Sequence, residues 1–213
     1  MITLHGFKSE LRRQRWDDHR LYHQSRINQT LHLISAVSFL LAYALVFKDP
    51  LMAVLVGWCV GMVTRQTGHY VFGPARYDHI NHISNEHKEQ VKVGFNQRRK
   101  TLLIAIVLAA PLTLQFDPSL FGLIEPHVDW HAFAERVAIT WLILAAIAVG
   151  ARCTQLCVTR SALTGFVWVF KIATDPLHNI CIYWKSPYHL LRGQLYDPLS
   201  NVDDAPHEHH VVL

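Results

Sequence analysis

The chain has 213 residues, 51% of them hydrophobic and only 17% charged, with a formal net charge of +4. This is more apolar than an ordinary soluble domain of that length and fits one domain of a membrane class. The modest positive charge follows the distribution of Lys and Arg between apolar runs and calls for no nucleic-acid partner.

In chain order, the N-terminal MITLHGFKSELRRQRW lacks the apolar core of a signal peptide, so the first spanning helix is expected to direct insertion. A span needs roughly 20 apolar residues. The first two candidates run from about Asn28 to Phe47 and from Leu51 to about Tyr70, with Lys48-Asp49-Pro50 as the turn. A third covers Thr101 to Phe116 and a fourth about Arg136 to Cys157. The expected fold is therefore all-α, with four transmembrane helices in two hairpins plus cytoplasmic or interfacial helices. Ser161 to Ala173, with Phe166, Trp168 and Phe170, is too short to cross and reads as interfacial or as a core helix. Residues 1–202 form one integral membrane domain, and the polar stretch 203–213, with His207, His209 and His210, reads as a disordered tail.

Short cytoplasmic loops hold the excess of Lys and Arg. Lys8, Arg12, Arg13, Arg15, Arg20 and Arg26 precede the first span, and Arg65, Arg76, Lys88, Lys92, Arg98, Arg99 and Lys100 surround the middle loop. The segment from Asp117 to Glu135 carries Asp117, Glu125, Asp129 and Glu135 without a Lys or Arg. That segment is expected outside and both termini inside, in a bacterial inner membrane sooner than an endoplasmic reticulum. Cys59, Cys153, Cys157 and Cys181 form no CxxC pair and support neither a disulfide framework nor a zinc site.

Fifteen histidines are present, and on this topology His19, His23, His32, His69, His79, His82, His87, His178 and His189 gather on the cytoplasmic side, leaving His127 and His131 outside. An ionisable group in a spanning helix is a functional candidate. Counted from Asp49, His32 lies 17 residues back and His69 20 residues on, which puts them about 26 Å and about 30 Å along two antiparallel helices. Two neutral imidazoles at one level make half of a metal site; the competing reading is a pair of headgroup-level histidines bonded to backbone carbonyls. Asn28 shares a helix face with His32 and can orient it or act as a weak ligand. His23 would fall on the opposite side of a continuous helix, so either the helix breaks near Arg26 to Asn28 or His23 serves a second metal. His19 and His23 share a face. If the middle loop is helical, His79, His82 and Glu86 align, with Asp78 orienting His82; a solvated polar helix is the alternative. His178 and His189 could cap the site or simply pack the final segment.

Tyr22 to His32 reads YHQSRINQTLH and Gly68 to Phe72 reads GHYVF. This pairing of Y-H-x4-N-x3-H with GH-x-VF, each at the end of an apolar helix, resembles the membrane-bound 2-hydroxy fatty acid dioxygenases of fungal fatty-acid α-oxidation. The resemblance covers about the first 75 residues. It implies a small multi-pass enzyme dependent on Fe(2+), with His23, His32 and His69 at the metal and Asn28 supporting them. The segment after Phe72 departs from the fungal pattern, with Gly73 and Pro74 leading into the histidine-rich loop. That departure leaves the substrate and the count of one or two irons open.

The expected reaction is oxygen-dependent shortening of a long-chain 2-hydroxy fatty acid by one carbon. A 2-hydroxy carboxylate can chelate iron through two oxygens, and Arg26, Arg65 or Arg76 could pair with the carboxylate, although each also serves as an ordinary positive-inside residue. Three rivals stand beside it: a di-iron lipid hydroxylase or desaturase drawing on the wider set His19, His79, His82 and His87; an electron carrier with b-type haem between His32 and His69; and a non-catalytic membrane scaffold.

Overall fold

The computed structural model describes residues 3–73, 78 and 83–198. Among them the chain is all-helical, with isolated bridges only between Ser25 and Tyr196 and between Asp78 and Ile83. The elements are α1 Leu4–Tyr22, α2 Arg26–Leu45, α3 Pro50–Val54, a π-helical segment Leu55–Met62, α4 Val63–Val71, α5 Asn85–Val91, α6 Gln97–Phe116, α7 Trp130–Thr159, α8 Ala162–Tyr183 and α9 Ser186–Leu191. Three helices are long and apolar enough to cross a membrane: α2, Arg98–Phe116 of α6, and α7.

Local chemistry accounts for the helix starts. Ser25, Asp49, Ser84, Asn96, Asp129 and Ser161 are N-caps whose side chains accept a backbone N–H of the first turn. At the predicted Lys48-Asp49-Pro50 turn, Asp49 caps Met52 and Pro50 takes the first helical position, where its missing N–H costs nothing. The second predicted span is one helical rod from Pro50 to Val71, but its middle third is π-helical. It falls where glycines of the rod lie close against α2: a Cβ on Gly57 would stand 3.1 Å from Ala42 Cβ, and one on Gly61 3.2 Å from Ser38 Cβ. Small residues spaced by four permit such contact without a water-driven core.

α2 is the central helix, packed against α8, the Pro50–Val71 rod and α9. Its buried face is polar or small, with Asn28, Gln29, His32, Ser35, Ala36, Ser38 and Ala42, while Ile34, Val37 and Leu41 are exposed. On α6 and α7, Leu102, Leu108, Leu112, Ile143 and Ile147 are likewise exposed. Apolar outside and polar inside suits a lipid surround and opposes what water selects.

The segment expected as a short piece from Ser161 to Ala173 forms a 22-residue helix. It runs through Pro176 and packs on α1, α2 and α7, in keeping with the core-helix alternative. Its polar continuation survives because Lys171 and Asp175 satisfy each other at 2.9 Å inside the bundle.

Candidate metal centre

His23, His32 and His69 converge from three segments, with one ring nitrogen of each lying within 4.8 Å of the other two. The Nε2 atoms of His23 and His32 are 3.1 Å apart, and the ring centroids are 4.1 Å apart for His23 and His32, 5.2 Å for His23 and His69, and 4.8 Å for His32 and His69. His32 is wholly buried and His23 nearly so.

The helix break decides His23. α1 ends at Tyr22, His23 is its C-cap, and α2 starts at Arg26, so the chain reverses and returns His23 over His32. The break is fastened from every side. The Asn28 amide donates to Tyr22 O (2.8 Å), and the Gln29 amide donates to His23 O (2.8 Å). Tyr22 Oη donates to Lys88 O (2.8 Å), and Gln24 Nε2 donates to Asp78 (3.0 Å), which faces the buried Lys88 ammonium at 3.7 Å. From the C-terminal side, Arg26 N donates to Leu195 O and Asp197 N donates to Gln24 O.

His69 reaches the same level through the rod opposite. With 17 residues on one side of Asp49 and 20 on the other, two plain α-helices would leave His69 above His32. A π-helical segment, with more residues in each turn, rises less per residue and draws His69 down. Beside it Gly68 faces Asn28: a Cβ there would collide with Asn28 Oδ1 and come within 3.4 Å of His32. Asn28 Oδ1 is buried without a hydrogen-bond partner, so a carbonyl oxygen is held ready at the edge of the cluster.

Two tyrosines that sequence patterning did not single out complete the walls. Tyr183 is buried against the His23 and His32 rings, and its hydroxyl lies 2.7 Å from His19 Nδ1. The Tyr22 and His69 rings meet in a T-shaped contact, and the Lys92 ammonium lies 3.3 Å from the centre of the Tyr22 ring. The motif Y-H at Tyr22 was the available signal for one of these; Tyr183, 160 positions from His23, left none.

The remaining sequence candidates lie elsewhere. His19 reaches the cluster through the Tyr183 hydroxyl. His87 is exposed on α5, and His189 bonds Gln194 at the far side of α9 (2.7 Å). His178 lines a small cleft with Arg15, His19 and Asp175. Burial, the larger cause, and the Arg15 charge pull its pKa down to about 4. Arg26 is committed to Asp197 at 2.9 Å, whereas Arg65 lines a cavity next to His69 and meets Asp175 at 4.0 Å. His79, His82 and Arg76, like the tail histidines, lie outside the described residues. Asp78, expected to orient His82, engages Gln24 and Lys88.

The donor set suits a divalent transition metal. Two imidazole nitrogens each about 2.0–2.1 Å from one ion stand about 3 Å apart when adjacent, which the His23–His32 separation matches, and His69 lies within 4.8 Å of both. Three neutral nitrogens with a spare carbonyl leave positions for further ligands, as non-haem iron sites require. The chain matches no family model, no curated protein and no solved structure. What defines its class, among the described residues, is an all-helical bundle with three helices long and apolar enough to cross a membrane and a largely buried three-histidine cluster that could hold a metal ion.

Proposed function

We propose that this protein is an Fe(2+)-dependent membrane oxygenase that converts long-chain 2-hydroxy fatty acids to the acid one carbon shorter. The observation that carries the reading is the convergence of His23, His32 and His69, the histidines of the two motifs, on one buried point. Four spans are proposed, counting the Pro50–Val71 rod, with the cluster on the cytoplasmic side and residues 117–135 outside.

His23, His32 and His69 would hold the iron, and Asn28 would position His32 and offer its Oδ1. The bound ion would supply a chelation point for a 2-hydroxy carboxylate and the redox activation of dioxygen. Burial beneath Tyr22 and Tyr183 excludes bulk water, and the Gln29 and Asn28 amides hold the His23 loop so that the donors need not reorganise. The reaction balances without an outside reductant. The acid and one dioxygen give the shortened acid, carbon dioxide and water, the C1–C2 bond breaking as four electrons pass from C1 and C2 to oxygen. A di-iron hydroxylase, by contrast, draws on an electron donor. Haem is disfavoured because His23, 3.1 Å from His32, occupies the space a macrocycle would take between His32 and His69.

The test supplies anaerobically purified, iron-loaded protein with oxygen and two long-chain acids that differ only in the 2-hydroxyl, and measures product length by mass spectrometry. A one-carbon-shorter acid from the hydroxylated substrate alone is expected. Oxygen insertion or desaturation at unchanged length would overturn the reading.

A further inference from the structure

α8 and α9 carry two opposed faces. On α8 the inward face holds Thr164, Lys171, Asp175, Asn179 and Tyr183, all buried. The outward face keeps helical spacing and continues into α9: Phe166, Phe170, Leu177, Trp184, Tyr188 and Leu191 are all exposed. From Phe166 to Trp184 this apolar stripe runs about 27 Å. A polar face turned into the protein and an apolar one turned out reverse what water selects, so the stripe needs an apolar cover.

The position of α8 in the bundle says what that cover is. The helix begins two residues after Arg160, the cap of α7, whose guanidinium donates to Val91 O (3.1 Å). Further along, Trp168 packs against Val93 and Phe95, just before α6, and against Leu156 in the last turn of α7. Past the other end, Tyr183 lies against the His23 and His32 rings, and Ser186 Oγ donates to Gln29 Oε1 (2.6 Å) in the first turn of α2. Both ends are tied to α5, since Tyr22 Oη, beside His23, donates to Lys88 O, one turn before Val91. α8 therefore crosses the bundle where α2 and α6 start and α7 stops, and does not run its length. α2 has 20 residues, so it rises about 30 Å, close to the hydrocarbon thickness of a bilayer. Its first turn, and α8 and α9 with it, lies where acyl chains meet headgroups. Trp184 and Tyr188 suit that layer. Lys185 Nζ is 5.0 Å from the centre of the Trp184 ring and the Arg192 guanidinium carbon 4.4 Å from that of Tyr188, and aromatic rings with basic neighbours are favoured there.

We infer that α8 and α9 lie in the plane of the membrane and dock their outward stripe on the phospholipid leaflet nearest the histidine cluster. The occupant is the ester and upper acyl-chain layer of that leaflet. Because Tyr183 on the inward face walls the cluster, docking fixes His23 and His32 at the depth of lipid ester and carboxyl groups. Docking requires only that α2, α6 and α7 cross the bilayer, and it holds whether or not the cluster carries out the oxygenase reaction.

The experiment places the full chain in phosphatidylcholine nanodiscs containing one of two photoreactive phosphatidylcholines, with a diazirine near the ester or at the chain end, and maps adducts by peptide mass spectrometry. The ester-level probe should label residues 166–191 at least fivefold more than the chain-end probe, and Ile143, midway along α7, should show the reverse. Equal labelling of the stripe by both probes would mean that α8 spans the bilayer. An unlabelled stripe beside a labelled Ile143 would mean that protein covers it. Either result overturns the inference, as would an Ile143 that neither probe reaches. Trp184 gives a second reading without a disruptive change. Bromine in the upper acyl chain should quench wild-type fluorescence at least twofold more than bromine at the chain end, and this excess should fall at least twofold in Trp184→Phe. An excess that Trp184→Phe leaves unchanged would take α9 out of the leaflet.

Discussion

His23 and His32 present their Nε2 atoms to each other at 3.1 Å although a helix terminus, a two-residue link and a new helix start lie between them. On one continuous helix the nine-residue spacing would have pointed them apart. The break is therefore what makes a pair of donors out of two histidines, and the bonds that hold it bear on metal binding as much as the ligands do.

Removing a donor should separate metal from fold. His32→Ala or His69→Ala leaves two nitrogens, too few to fix an ion against water, and is expected to take iron content from near one per chain to background. Helical content by circular dichroism should stay unchanged. His23→Ala should do the same, because the pair left behind is joined only by the weaker Asn28 carbonyl oxygen. His87→Ala, on the exposed face of α5, and His131→Ala, at the start of α7, should keep wild-type iron. Wild-type metal content in His32→Ala would remove the cluster from consideration.

Gly68 is the position where space is scarcest. Gly68→Ala drives a methyl into Asn28 Oδ1 and toward His32, and overpacking of this kind costs about 1–3 kcal/mol. The Asn28 amide also anchors Tyr22 O, so displacing it loosens the His23 loop, and iron affinity should fall together with melting temperature. Truncating Asn28 as well removes the clash. The double variant should lose less stability than the sum of the singles, a non-additivity expected of touching residues. Strict additivity in thermal melts would show that the two do not meet.

The helical class was legible because apolar runs of span length end at capping residues, as at Asp49, Asn96 and Asp129. Other features were not legible. The π-helical segment depends on how closely Gly57 and Gly61 approach Ala42 and Ser38, a tertiary contact that no local pattern of Leu55–Met62 encodes. α8 extends past Ala173 because Lys171 and Asp175 neutralise each other inside the bundle, whereas hydropathy counts each as a terminator. The equal depth of His32 and His69 could be counted from Asp49, yet the placement of His23 rested on a helix break whose fastening residues, Gln29, Lys88 and Asp197, carry no motif. Tyr183 and the Trp58–Trp141 ring pair come from distant segments and are visible only once these have packed.

The pH dependence of stability has a source outside the cluster. His178 is held neutral, with its pKa lowered from 6.5 to about 4 by burial first and then by Arg15, His19 and Lys171, against the opposing pull of Asp175. The unfolded chain takes up a proton near pH 6.5 that the folded chain refuses until about pH 4. The unfolded state binds more protons in that window, so stability falls as pH is lowered through it and is level above it. His178→Asn should flatten this part of the profile in metal-free protein. Melting temperatures from pH 7.5 down to 4.5 that fall in parallel for both proteins would place the titration on another group.

Gln29 carries the most connected amide near the site. It is wholly buried; its Nε2 donates to His23 O and to Asp197, and its Oε1 accepts from Arg26 and from Ser186 Oγ at 2.6 Å. Leucine has similar bulk but none of these bonds, so Gln29→Leu strands the Ser186 hydroxyl and the His23 carbonyl in the interior. Each buried polar group so left costs about 1–3 kcal/mol. Ser186→Ala removes one bond and leaves only one lone pair of Gln29 unfilled, so its loss should be near 1 kcal/mol. The two variants should also differ at the metal. Gln29→Leu releases the His23 carbonyl and with it the angle of the His23 ring, and outer groups that orient a ligand are worth about 10–100-fold in metal affinity; Ser186→Ala leaves that tether intact. Thermal unfolding and iron titration on both proteins check this. Equal iron affinity in the two would show that the amide braces the C-terminal segment alone and does not aim His23.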